Sequence, residues 1–488
     1  SNYAIIYKKT GKDPNEKKMT KPEITPIITN RDVASPFLVE VQESAVKPIE
    51  PVFLDYQKDM SQLKAKSDIP VLYKQNVAND LFQLIYVFDM GNNHDKALGT
   101  AFDYLEYLGT SDMTPEELKS EFYRLACTFY VSPGNERTYV VLSGLNENMP
   151  AAVQLFEKLL ADAQVNKEAY TNMTSDILKA RSDAKLNQGQ NFSRLMSFAM
   201  YGPKSPATNL LTEAELTNMN PQELVDRIHN QNSYKHRILY YGPSSSKDLL
   251  ATINQYHQVP AALKDIPAGN EYAYLETPVT KVLVAPYDAK QIYMAQISNL
   301  DKKYDPAIEP IRALYDEYFG GGMNSIVFQE MRETRGLAYS AWASIMPPSY
   351  LKYPYVLRTQ IATQNDKMID AVTTFNDIIN NMPESEAAFK LAKDGLTNRL
   401  RTERIIKGDI IWSYINAQDL GQNVDPRIKL YNDIQNMSLK DIVDFQKQWV
   451  KGRTYVYCIL GDKKDLELDK LKAVGPIEEL TQEQIFGY

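Results

Sequence analysis

Two separated stretches of this chain spell nearly the same thing: Glu106-Tyr107-Leu108-Gly109 and Glu317-Tyr318-Phe319-Gly320. Each closes a helical pattern that comes after a strongly apolar strand pattern, and each runs into a loop. A second pair, Ala151 to Leu160 and Asp370 to Ile379, repeats as an amphipathic helix after a further apolar strand. Recurrence of letters and element order together implies an internal duplication, so what one half folds into the other should fold into as well. At 488 residues the chain is too long for one hydrophobic core, which fits two copies of a domain.

The element order gives the unit its class. In the first copy, Val71 to Tyr73 and Leu81 to Phe88 read as strands, the second so continuously apolar that it belongs inside a covered sheet. A helix comes next over 96–108. Thr114-Pro115-Glu116-Glu117 combines an N-cap, a proline in the first turn and a glutamate at the third position, which starts another helix. A strand at 137–143, a helix at 151–161, a helix-rich stretch over 170–235, a strand at 236–241 and a helix at 247–256 complete it. The second copy places strands at 282–285, 291–297, 337–345, 355–362 and 454–460, with helices at 308–319, 367–382, within 385–448 and near 466–473. This predicts an α+β fold of two homologous domains, each a mostly antiparallel sheet covered by helices. The first spans 66–262 and the second 263–488. Residues 1–65 read as an extended linker: Tyr3 to Tyr7 is strand-like, Gly11 to Asn15 has turn composition, and Pro22, Pro26, Pro36, Pro48 and Pro51 disfavour regular structure. The chain opens as a fragment cut from a larger protein would.

Several chemistries find no support. Acidic residues outnumber basic ones by 62 to 54, which disfavours a nucleic-acid surface. No apolar run reaches the ~18 residues that a membrane span needs. Cys127 and Cys458 lie in apolar contexts and read as two buried thiols. The histidines at 94, 229, 236 and 257 show no metal-ligand spacing and read as surface or boundary residues, so no zinc site is expected. Ser143-Gly144 lacks the first glycine of a nucleophile elbow.

The segment from Phe319 to Tyr339 remains. Gly320-Gly321-Gly322 has neither phosphate-loop nor dinucleotide spacing; its glycines suit a positive-φ turn and close packing after a helix. Ser325 to Arg335 reads as a three-turn helix stopped at Gly336. Arg332 near its end and Tyr339 on the emerging strand can point into one space. There a fork of donors and a directional hydroxyl could hold a peptide carbonyl or steady an oxyanion. The plainer reading is a solvated charge pattern over Glu330, Arg332, Glu333 and Arg335, with Tyr339 in the core.

The run from Phe319 through Ser340 resembles the signature region of the pitrilysin/insulinase family of zinc metallopeptidases, and weaker likenesses at Tyr7 to Gly11, Gly461-Asp462 and Ile485 to Tyr488 extend it over essentially the whole chain. The resemblance implies one half of a clamshell built from four related α+β domains. In that family an inverted His-x-x-Glu-His plus a downstream Glu holds zinc on the first domain. Here the matching point is Asp103-Tyr104-Leu105-Glu106-Tyr107: Asp103 and Tyr107 replace both histidines, and Glu106 keeps the position of the general base. The resemblance therefore implies the carboxy-terminal, zinc-free half. Arg332 and Tyr339 would be auxiliary catalytic residues, presented to a peptide bound at a zinc of the other half. No cofactor is implied in this chain, and zinc in the complete enzyme. The implied partners are an amino-terminal catalytic half or a zinc-binding subunit, and peptide substrates. An extracytoplasmic, periplasmic setting is also implied by the family. The competing expectation is a degenerate homologue serving as a scaffold or processing partner.

Overall fold

The apolar runs lie at the centres of two six-stranded sheets. The computed structural model describes residues 2–8, 11, 33–45, 47–289 and 291–488. The first sheet contains β1 (Ser61–Lys64), β2 (Pro70–Gln75), β3 (Leu81–Phe88), β4 (Cys127–Pro133), β5 (Thr138–Leu145) and β6 (Arg237–Gly242), in the order β1-β2-β6-β3-β5-β4. The second contains β7 (Lys281–Pro286), β8 (Gln291–Lys303), β9 (Ala338–Met346), β10 (Pro354–Gln364), β11 (Val456–Gly461) and β12 (Ile477–Glu479), in the order β12-β7-β11-β8-β10-β9. β2 and β6 pair parallel, as do β7 and β11; the strands beyond them toward β4 and β9 pair antiparallel. The duplication is thus one of topology as well as letters. The copies differ in their sixth strand, which precedes the unit in one case and comes after it in the other.

Each sheet buries one face under helices of its own unit. Phe102, Leu105, Phe156 and Ile253 close the first core, and Leu314, Phe319, Phe375 and Trp449 the second. The opposite faces are closed by an exchange. The helix Gln188–Tyr201, from the first unit, lays Phe192, Leu195 and Ala199 on Leu283, Ala295 and Cys458 of the second sheet. The helix Asp409–Asp419, from the second unit, lays Ile410, Ile411 and Ile415 on Leu72, Ile85 and Leu239 of the first. At full burial each such side chain contributes about 1.5–3 kcal/mol, so the exchange locks the two units together.

Polar contacts add direction. The Arg137 guanidinium donates from both terminal nitrogens to the Asp419 carboxylate, at 2.6 and 2.5 Å, and from Nε to Asp89 at 2.6 Å. Thr114 and Glu117 form the capping box that the sequence predicts, with bonds of 3.2 and 2.8 Å.

Several expectations need correction. The supposed linker contains a helix, Pro36–Glu43, because Ser35 caps it and Pro36 suits a first turn. It also contains strand β1, and Leu54, Tyr56 and Met60 are buried beside Ile411. Tyr3 to Tyr7 pairs with no strand among the described residues and is exposed. The turn expected over 11–15 lies, beyond Gly11, outside the described residues, as do Pro22 and Pro26. β4 and β12 are strands that the apolar pattern does not mark. His236 and His257 are not surface residues: both are buried, with Nε2 to Nε2 at 2.8 Å. His236 Nδ1 donates to the Tyr234 carbonyl at 2.7 Å, so its Nε2 accepts and His257 donates. His257 Nδ1 then meets Glu157 at 2.7 Å, a carboxylate also held by Asn232 and the Gln258 N–H. Buried imidazoles persist here because every ring nitrogen has a partner.

Candidate functional site

The helix Glu309–Phe319 ends against the edge strand β9, and Gly320 makes that approach possible. A Cβ on Gly320 would stand 2.1 Å from the Ala343 carbonyl oxygen and 2.6 Å from its nitrogen. A Cβ on Gly321 would stand 2.9 Å from the Asp316 oxygen, whereas Gly322 has room. The expected positive-φ turn is absent from this triplet; close backbone packing accounts for the first two glycines. The left-handed residue of the region is Gly336, at φ 55°.

Ser325 caps the next helical turn, its side chain accepting from the Phe328 N–H. The predicted three-turn α-helix does not form. One α turn, Ile326–Phe328, widens into a π turn, Gln329–Thr334, which closes with the Leu337 N–H on the Met331 carbonyl at 2.8 Å. The physical reason is burial: Ile326, Val327 and Met331 are all enclosed in the core, and the wider turn lets them face it while Arg332 stays outside. π turns inside helices cluster at functional sites.

Tyr339 also sits on an irregularity. Across β9 and β10, Ser340 opposes Ala362 and Ala338 opposes Thr363, so Tyr339 is the extra residue of a β-bulge. Bulges re-aim a side chain; this one leaves Tyr339 77% exposed instead of in the core. The Arg332 guanidinium lies 4.8 Å from the Tyr339 ring centre and 4.9 Å from that of Phe328. Its closest carboxylate is Glu333 at 3.4 Å. With Nε turned to Glu333 and the group partly exposed, the terminal nitrogens of this guanidinium form a planar fork that matches a carbonyl or oxyanion. Phe328 is the member that sequence reasoning missed; its place four residues before Arg332 on a helical pattern is the signal that finds it.

The structure brings Arg332 and Tyr339 together, and it places Asp103, Glu106 and Tyr107 elsewhere, beside the first sheet. The helix Leu98–Leu105 buries Tyr104 and Leu105 and turns Asp103, Glu106 and Tyr107 outward. Desolvation by surrounding protein, helped by the Glu106 charge, pushes the Asp103 carboxyl above its usual range. Glu106 borders a cavity of about 720 Å³ lined by Lys119, Phe122, Tyr123, Cys127 and Phe129. No group of three His, Cys, Asp or Glu side chains stands together as a metal-holding cluster among the described residues. Two carboxylates without imidazole partners do not make the donor set of a catalytic zinc. The Asp103–Glu106 pair therefore does not fit that ion.

Residues 238–396 match the family described as the peptidase M16 inactive domain. A curated relative, the non-peptidase homolog YmxG of Helicobacter pylori, is 23% identical over 422 residues, covering 82% of this chain and 93% of that protein. Among solved structures, a peptidase M16 inactive domain from Pseudomonas fluorescens aligns with a TM-score of 0.64 at 15% identity, covering 83% of this chain and 98% of that one. The periplasmic protease PqqL from Escherichia coli aligns with a TM-score of 0.66 at 13% identity, over 92% of this chain and 49% of that chain. The paired sheets are the fold of one half of an M16-type clamshell.

Proposed function

We infer that this chain, which carries an inactive domain of the pitrilysin–insulinase (M16) peptidase superfamily, is the zinc-free, carboxy-terminal half of a zinc metallopeptidase that hydrolyses peptide bonds. In this reading the two sheet units form a wall of the substrate cavity, and the chain ahead of the first unit leads in from the zinc-bearing half. The chain supplies Arg332 and Tyr339 to a peptide held at the zinc of that half. Zinc there would polarise the scissile carbonyl and supply activated water. Arg332 would donate to the carbonyl oxygen as charge develops on it, and the Tyr339 hydroxyl would fix its direction.

The observation that carries the reading is the paired irregularity: a π turn and a β-bulge converge on one exposed Arg–Tyr contact. Length supports it too, since the chain spans about half of the PqqL chain. An extracytoplasmic setting belongs to the same reading, supported by PqqL being periplasmic. The test is complementation. The isolated chain should bind no stoichiometric zinc and cleave no peptide, and adding the zinc-bearing half should restore cleavage. A zinc half that is fully active alone and unaffected by this chain overturns the reading.

A second reading is a non-catalytic scaffold or processing partner. It is supported by YmxG, a non-peptidase homolog whose match covers most of both chains. Under it, Arg332→Ala would leave every assembled activity unchanged.

A further inference from the structure

The second sheet carries a cation that neither the Arg332–Tyr339 contact nor the fold uses. Along β10, Leu357 and Ile361 point into the helix-covered core, so Val356, Arg358 and Gln360 point to the opposite face. The exchanged helix Gln188–Tyr201 covers that face as far as Val356. Beyond it Arg358 lies half-buried, its guanidinium 5.1 Å from the Trp342 ring centre on β9. Nη2 donates to Gln360 at 2.8 Å, and Nε is fully buried with no hydrogen-bond partner.

Three arginines of the chain that lie as deep or deeper are neutralised: Arg137 by Asp419, Arg312 by Glu309 and Asp316, and Arg427 by Asp425; half-buried Arg194, Arg401 and Arg453 instead donate to backbone carbonyls or a tyrosine hydroxyl. Arg358 makes no ion pair among the described residues. Cys458 lies near, but burial pushes its thiol up to about 12, so it brings no charge. Stacking on Trp342 offsets only part of the desolvation of a guanidinium. What remains open is the end of the fork, Nη1 and the second N–H of Nη2. That edge matches a carboxylate in bidentate geometry.

We propose that Arg358, carried by Trp342, is a carboxylate-binding subsite for an extended peptide laid along β9. The inference deepens the proposed function and rests on its premise that peptide reaches this sheet. Edge geometry supports it. The outer side of β9 is closed at Ala343 by the Gly320 carbonyl (3.4 Å) and at Ile345 by Asp316 (2.9 Å) and Arg312 (3.1 Å). By the alternation of an antiparallel strand, Ala341 is the next residue whose backbone faces outward, beside Tyr339. A peptide pairing there lies one strand spacing, ~4.8 Å, outside Trp342, over which the Arg358 guanidinium reaches. Arg332 and Arg358 would then contact the same peptide at two points, one at a backbone carbonyl and one at a carboxylate.

Calorimetry on the full chain tests this with four otherwise identical extended peptides: Glu or Gln at the central position, each with a free or an amidated carboxy terminus. The expected result is at least tenfold tighter binding of one carboxylate-bearing form over its amide, with the arm showing whether side chain or terminus is read. Arg358→Gln should abolish that preference, and Trp342→Phe, which keeps a ring under the cation, should retain most of it. Equal affinity for all four peptides, or a preference that survives Arg358→Gln, overturns the subsite. Absence of any peptide binding overturns it too. In either case the Arg332–Tyr339 reading stands or falls separately, on cleavage by the complemented enzyme.

Discussion

Arg332 and Tyr339 stand against each other, guanidinium 4.8 Å from ring centre, because each occupies a break in otherwise regular structure. One sits on a π turn and the other on a β-bulge, and Gly336, left-handed at φ 55°, joins the two. An ordinary α-helix running into an ordinary strand would aim these side chains differently. The contact is therefore a property of the whole segment from Phe319 to Ser340, and its supports can be tested one by one.

The first support is Gly320. Its missing Cβ is what lets the helix end reach the backbone of Ala343, so Gly320→Ala forces backbone apart from backbone on the strand that carries Tyr339. A loss of about 1–3 kcal/mol is expected, the scale of overpacking. Gly322→Ala, whose Cβ would meet only the Glu317 carboxylate at 3.8 Å, should change stability by a few tenths. Urea unfolding of the two variants against the parent chain makes the comparison.

The second support is the junction of the two units. Arg137 and Asp419 are largely buried, so Asp419→Ala strands part of a guanidinium that Asp89 alone then holds. A cost of about 3 kcal/mol is expected for breaking a buried pair. Hydrogen exchange should show faster opening of the helix Asp409–Asp419, while amides of β10 and β11 keep their protection.

Acid should act through the histidine pair. Burial first, and the neighbouring His257 second, push the His236 pKa down to about 3, whereas an imidazole in the unfolded chain protonates near ~6.5. Between those values the unfolded chain binds the extra proton. The stability contributed by a neutral His236 is thus complete above the upper value and is lost as pH falls toward the lower. The slope is up to about 1.4 kcal/mol per pH unit. His236→Asn, which can still donate to the Tyr234 carbonyl, should show a shallower decline. Urea unfolding of both proteins in mildly acidic and neutral buffer checks the difference.

Much of this was legible in the residues. Leu81–Phe88 is a strand over the range its apolar run marks, and Thr114 to Glu117 starts a helix as its side chains dictate. The duplicated letters at Glu106 and Glu317 mark equivalent places between β3 and β4 and between β8 and β9. Other features depend on partners distant in sequence. Cys127–Pro133 does alternate inward and outward, yet such a short edge strand is fixed only by β5 beside it. The sequence around Arg332 reads as an ordinary α-helix because helical periodicity does not encode a π turn, which arises when Met331 is drawn into the core. His236 and His257 lack any local pairing signal, since the bond between them joins the residue just before β6 to a helix end 21 residues away. The unpaired state of Arg358 is likewise a fact of packing.

The most direct measurement is kcat/KM of the complemented enzyme, this chain plus the zinc-bearing half, with Arg332→Ala and Tyr339→Phe compared with the parent. Both variants should assemble normally and lose roughly tenfold to a hundredfold in kcat/KM, about 1.4–2.7 kcal/mol of transition-state stabilisation. Parent-level kcat/KM from both variants would contradict the assignment of Arg332 and Tyr339 to the substrate and leave the chain as scaffold.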